Sequence, residues 1–285
     1  MYNRVIEGDL VFENYGLTGK IVNIFDHVIN IRTEKNKGFA LIDTKVVDAP
    51  YHLKLADVTF QKIHRKLRNN SNIILQADKI TYDNRTVQID EKGKFFGKIA
   101  EINTIDKEKV IKMIEKVINE SQELGSLDKS ILKYKSIINN SKEFNLNSLQ
   151  KQFYKILKLI ISNEQNLSEL LGLGIGLTPT GDDFIVGYLS AVEAGLVDDK
   201  LNIRESLKDL DIFKLTTRVS ALHVKGALNH SFNGKVVNLY NNIGLKSFEF
   251  IKSAKDLLKI GSSSGLDTLS GIYFALTISN YNKIA

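Results

Sequence analysis

The pattern of apolar and polar positions changes character near residue 105. Before that point apolar residues come in short runs rich in β-branched and aromatic side chains: residues 21–31 (IVNIFDHVINI), 39–47, 58–60, 73–76 and 87–89. Turn-forming stretches such as 34–38 and Asp83-Asn84 separate them. Runs of this length and composition predict strands. A small antiparallel sheet or barrel is expected, with residues 61–70 (QKIHRKLRNN) as a short helix.

Beyond residue 105 the period lengthens. Residues 106–123 place Val110, Ile111, Ile114, Val117 and Ile118 at helical spacing, and 148–162 do the same with Phe153, Ile156, Leu157 and Ile160. Further helices are expected at 182–195, 203–229, 247–259 and 265–279. Residues 129–147 are polar and read as a connection with one turn of helix. The fold class is therefore α+β: a β-rich N-terminal sheet or small barrel over residues 1–104, followed by an α-helical C-terminal domain over 105–285.

Composition narrows the chemistry. The 285 residues are 43% hydrophobic, which is ample for a core, and contain no cysteine. Disulfides, thiolate zinc sites and a cysteine nucleophile are excluded. The net charge of +6 is evenly spread, with 16 Lys and Arg against 13 Asp and Glu in residues 1–103 and 23 against 20 in 104–285. A nucleic-acid footprint would concentrate that charge, so no nucleic-acid partner is expected. No stretch approaches the roughly 18 apolar residues of a membrane span. The opening MYNRVIEGDL lacks the apolar run of a signal peptide, so a cytoplasmic location is expected. His27, His52, His64, His223 and His230 are scattered and suggest no zinc site.

Residues 171–187, LGLGIGLTPTGDDFIVG, hold five of the 19 glycines and one of the two prolines. Gly172, Gly174 and Gly176 alternate, and glycine allows positive φ and close approach of a ligand to the backbone. Pro179 then precedes a helix start that Thr180 can cap, with Asp183 in the position of a capping-box acid. A glycine loop feeding a helix N-terminus is an anion site in outline. The dinucleotide fingerprint does not fit, because no strand–glycine–helix–strand unit surrounds the loop.

A second segment, 261–271 (GSSSGLDTLSG), has the same design. Thr180-Gly181-x-Asp183-x3-Gly187-x3-Ala191 aligns with Ser264-Gly265-x-Asp267-x3-Gly271-x3-Ala275. Small residues at i, i+4 permit close helix contact, so the two helices are expected to pack and aim their starts at one pocket. Gly174, Gly176, Thr178, Thr180, Gly181, Ser263, Ser264, Gly265 and Asp267 are the candidate anion-binding residues. The plainer alternative is that both segments only turn and cap the chain.

Asp182 and Asp183 pose a separate question. One aspartate suits the helix dipole, while a second beside it is redundant for capping and repels an anion. The pair can hold Mg2+, accept a hydrogen bond from a substrate amide or act as a base, or leave one carboxylate in solvent. No cofactor is firmly implied. Arginine is scarce, with Arg204 and Arg218 alone after residue 85. Arg218, in the small and apolar stretch TTRVSALHVKGALNH, can grip a phosphate or carboxylate with two bonds, or serve a surface ion pair. Asp182, Asp183 and Arg218 are the candidate catalytic groups.

The run GLGIGLTPTGDDFIVG resembles the G-x-G-x-G-L-T-P-[AST]-G-D-D motif of the AllH-like family. The order of parts, β-rich region, helices and a second glycine-serine motif, is similar as well, so the resemblance spans most of the chain. The family's second motif reads G-H-[ST]-S-G-x-D. Ser262 stands at the histidine position here, so that histidine's role does not carry over, whereas Ser263, Ser264, Gly265 and Asp267 match.

The resemblance implies one subunit of an oxamate-carbamoyltransferase-like enzyme of allantoin and purine catabolism. Such an enzyme interconverts oxalurate plus phosphate with oxamate plus carbamoyl phosphate. It also implies partner carbamoyltransferase subunits and small anionic ligands: phosphate, carbamoyl phosphate or an oxamate-like acid. Three other readings remain: a non-catalytic anion or nucleotide sensor, a small-molecule kinase, and a scaffold in which both motifs are dry helix contacts.

Overall fold

A computed structural model describes residues 4–34, 37–122, 126–162 and 167–278. Residues 35–36 of the expected turn at 34–38, Glu123 at the end of the helix expected at 106–123, and residue 279 at the end of that expected at 265–279 lie outside the described residues. The chain forms two compact units, Met1–Lys98 with Ser231–Gly234, and Ile99–His230 with Lys235–Ala285. A division near residue 104 does not foresee that 231–234 belong to the first unit.

In the first unit the described strands are β1 (Arg4–Gly8), β2 (Thr18–Phe25), β3 (Val28–Thr33), β4 (Lys37–Ile42), β5 (His52–Leu55), β6 (Asn72–Leu75), β7 (Lys79–Tyr82), β8 (Arg85–Gln88) and β9 (Glu91–Phe95). They form one curled sheet in the order β8-β7-β6-β2-β3-β4-β5-β1-β9. The expectation of an antiparallel sheet fails at two places, since β4 pairs with β5 and β1 with β9 in parallel. Residues 21–31, expected as one strand, bend at Asp26-His27 into the β2–β3 hairpin, which pairs Phe25 with Val28.

Residues 58–60 are not a strand. They belong to helix α1 (Asp57–His64), which buries Thr59, Phe60 and Ile63 and leaves Val58 outside. The spacing of Phe60 and Ile63 was a helical signal hidden by a β-branched neighbour. Ile29, Leu41, Leu53, Phe60 and Ile80 form the centre of this core. Residues 231–234 join it through Ser231 Oγ to Asp9 (2.7 Å), Phe232 N–H to Gly97 O (2.7 Å) and Gly234 N–H to Asp48 O (2.9 Å).

The second unit is helical: α2 (Lys107–Glu120), α3 (Tyr134–Asn139), α4 (Ser148–Ile161), α5 (Thr180–Glu193), α6 (Ile203–Lys208), α7 (Ile212–Leu215), α8 (Arg218–Leu228), α9 (Gly234–Asn241), α10 (Ser247–Leu258) and α11 (Ser264–Ile278). The polar connection expected at 129–147 is more ordered than that. A 3-10 turn at Asp128–Lys133 and α3 bury Ile131, Tyr134, Ile137 and Ile138 among surrounding lysines and asparagines. The single helix expected over 203–229 is three, because the chain turns at 209–211 and Thr217 caps α8 by accepting from Ser220 N–H (3.2 Å). Helix α9 has no counterpart among the expected elements.

Helices α5 and α11 form the centre. Thr180 through Ala191 and every residue of α11 are buried, as suits helices apolar on all sides. Phe184 meets Phe274 (5.2 Å between rings) and Phe153 (5.0 Å). Among the described residues no helix is long and apolar enough to cross a membrane.

Candidate functional site

Close crossing of α5 and α11 follows from glycine at the contact. A methyl at Gly187 would fall far inside contact distance of the Thr268 carbonyl oxygen and 2.9 Å from its carbon. At Gly271 the obstruction is the Phe184 carbonyl oxygen, with Tyr188 N at 2.9 Å. The shared glycine stripe is thus the crossing itself, and it brings the two helix starts together.

At that junction Ser264 Oγ donates to Asp183 Oδ2 (2.6 Å), and Thr178 hydrogen-bonds Ser264. The side chains come from the two motifs. In the reciprocal position the Thr180 hydroxyl offsets a little of the rise that burial gives the Asp267 pKa, yet Asp267 Oδ2 has no hydrogen-bond partner of ordinary geometry. Asp267 Oδ1 accepts from Leu127 N–H (3.3 Å). Ser263 is half-buried and Ser262 exposed, so hydroxyls line the outer side of the α11 start.

Thr180 is the first residue of α5 rather than its cap. Pro179 precedes the helix and no side chain caps it, because the Thr180 side chain is turned into the core. The amides of the first turn are largely spent: Gly181 N–H donates to Leu173 O (2.9 Å), and Asp182 and Asp183 N–H to Pro179 O. Gly265 N–H is taken in the same way by Ile260 O (3.0 Å). Hydroxyls and the helix dipoles, more than free amides, are what this junction offers an anion.

Asp182 and Asp183 part company. Asp182 accepts from Gly172 N–H (2.8 Å) and from the Thr216 hydroxyl, so it ties the glycine loop to the segment before α8. In that loop Gly174 has φ of +129° and a methyl there would crowd Thr180 N, while Gly176 at φ +90° carries the exposed Ile175 and Leu177 on either side. Next to Thr216, Thr217 donates to Leu177 O, and Arg218 opens α8 with its guanidinium 4.9 Å above the Phe213 ring. Thr216 and Thr217 were not singled out from the sequence. Their signal was the hydroxyl pair just before Arg218, masked by the assumption of one continuous helix.

All three aspartates are buried: Asp182 and Asp267 at 0% exposed and Asp183 at 5%. Burial raises the Asp182 pKa, with Ser220, Thr216 and Gly172 pulling it partway back. Asp183 is lifted well above the usual carboxylate range by burial, then by the nearby Asp267 and Asp182 charges. Among the described residues no three His, Asp or Glu side chains gather as a metal site.

Asp267 is raised by burial from 3.8 to about 6. The folded protein then holds this proton more tightly than the unfolded chain. The stability tied to this group is full below the unfolded value and is lost as pH rises through the folded one, by about 3 kcal/mol in all. Asp267→Asn is therefore expected to gain on the wild type as pH rises from 4 to 7. Urea denaturation across that range checks it, and parallel stability curves would count against the raised carboxyl.

Residues 170–276 match the family model described as oxamate carbamoyltransferase subunit AllH, and residues 4–94 match the one described as AllH family N-terminal domain. No curated protein and no solved structure matches the chain.

Proposed function

The chain belongs to the AllH family of oxamate carbamoyltransferase subunits, and on that premise we propose that it serves in carbamoyl transfer between an oxalurate-type ureide and phosphate, with partner subunits. The observation that carries the site assignment is the junction of Thr178, Ser264 and Asp183, where hydroxyls and a buried acid from both motifs meet at two helix starts.

A phosphate oxygen attacks the ureido carbonyl carbon, the carbon–nitrogen bond to oxamate breaks, and the departing nitrogen takes a proton. Asp183, its proton affinity raised by burial, passes that proton to Ser264 as the Ser264 hydroxyl turns from Asp183 toward Thr178, and the proton lost by the attacking phosphate returns to Asp183 to close the cycle. The positive ends of α5 and α11 stabilise the charge that gathers on oxygen in the tetrahedral intermediate. Arg218 grips the phosphate with two bonds.

A charge-assisted contact of this kind is worth roughly 1.5–3 kcal/mol. Arg218→Ala should therefore weaken binding of phosphate or carbamoyl phosphate about ten- to a hundredfold. Arg218→Lys should restore part of it, since the charge returns without the fork. Calorimetry on the chain alone and in the assembled enzyme tests this. No affinity for phosphate, carbamoyl phosphate or oxamate in either state would remove the anion site.

Burial of the aspartates and the spent amides of Gly181 and Gly265 favour a second reading. In it the paired motifs are a dry helix crossing and the reacting groups come from the partner subunits. Under that reading Asp183 and Arg218 variants that fold keep full turnover.

A further inference from the structure

Independently of that reading, we propose that a cavity between α6, α7 and α8 is a binding site for a small organic carboxylate with an apolar body. Its volume of about 520 Å3 lies within the range of small-molecule sites. One part of the wall is apolar, with Leu207, Leu210, Ile212 and Leu228, and Leu210 remains 39% exposed. The other part carries Arg204, Lys208 and Lys225 against one acid, Glu205.

The cations are not equivalent. Arg204 is fixed in place: it donates to Ala227 O (3.1 Å) and Leu228 O (2.8 Å) at the end of α8, and to Glu193 (3.1 Å). Lys208 pairs loosely with Glu205 (3.7 Å) in solvent. Half-buried Lys225 instead rests over the Phe213 ring at 5.2 Å, a ring that Arg218 also covers. A half-buried ammonium stationed on an aromatic face beside a leucine-lined hollow favours a ligand that supplies a carboxylate and an apolar body together. The wall also reaches the glycine loop through one element, because Ile212 opens α7 and Thr216, just past its end, holds Asp182.

The test is titration calorimetry of the full chain with benzoate, with benzamide as the uncharged control and formate as the control without an apolar body. Benzoate should bind saturably at one site, with benzamide and formate each at least about tenfold weaker. Lys225→Gln should cost about tenfold, and Leu210→Asp, which sets an acid on an already exposed position, should abolish binding. Both variants should keep the wild-type melting temperature and phosphate response. Absence of saturable benzoate binding would overturn the proposal. So would equal affinity for benzamide or formate, or binding unchanged in both folded variants.

Discussion

Gly187→Ala should lower the melting temperature sharply, although helix propensity alone favours alanine by about 1 kcal/mol. The added methyl meets the Thr268 backbone rather than a movable side chain end, with Thr268 C at 2.9 Å and Gly271 Cα at 3.2 Å. Relief requires α5 and α11 to part, which loosens Phe184 from Phe274. Overpacking of this kind costs up to about 3 kcal/mol or somewhat more, and propensity recovers about 1 of it. The expected net loss of about 2–3 kcal/mol corresponds to a fall of roughly 4–12 °C. Gly271→Ala should behave alike. Gly244→Ala, where a methyl meets nothing within 4 Å, is the control. Calorimetric scans decide the matter, and an unchanged or higher midpoint for Gly187→Ala would mean that the helices do not cross at these glycines.

Asp183→Asn should leave stability within about 1 kcal/mol of wild type and lower turnover of the assembled enzyme by about a hundredfold or more. Burial raises the Asp183 pKa well above the usual carboxylate range, which favours the neutral acid, and asparagine matches that form in shape while losing the exchangeable proton. Phosphate affinity should stay close to wild type, which separates proton transfer from binding. Asp182→Asn should do the opposite. Its carboxylate accepts from Gly172 N–H and Thr216 and also faces the Ser220 hydroxyl, and an amide would turn its own N–H2 toward one of these donors. A loss of about 1–3 kcal/mol follows, felt first in the glycine loop. Turnover and urea denaturation of both variants give the answer. If Asp183→Asn loses stability in step with activity, the acid is part of the crossing and the proposed proton path is wrong.

Much of the candidate site was legible because its signal is local. Glycines, hydroxyls and aspartates at repeated offsets mark two helix starts without any knowledge of what lies beside them. The strong apolar periods of α2 and α4 were readable for the same reason, and Asn147 with Gln150 even completes a capping box. Failures came where the deciding partner is remote. Residues 58–60 have strand-like composition, but Phe60 and Ile63 turn inward together only in a helix. Residues 129–147 look polar, yet Ile131, Tyr134 and Ile137 each reach the core.

The amino-acid sequence by itself determined the α+β class, the change from short strands to helices, and the equivalence of residues 180–191 and 264–275, because period and residue type act over a few neighbouring positions. Only the tertiary structure decided what that equivalence is for. It set Gly187 against Gly271, spent the amides of Gly181 and Gly265 on nearby carbonyls, and gave Asp182 to Gly172 and Thr216 but Asp183 to Ser264. Neighbouring aspartates on a helix point about 100° apart, so adjacent positions with the same side chain meet different surroundings. What each carboxyl does is fixed by burial and by the donors facing it across the fold.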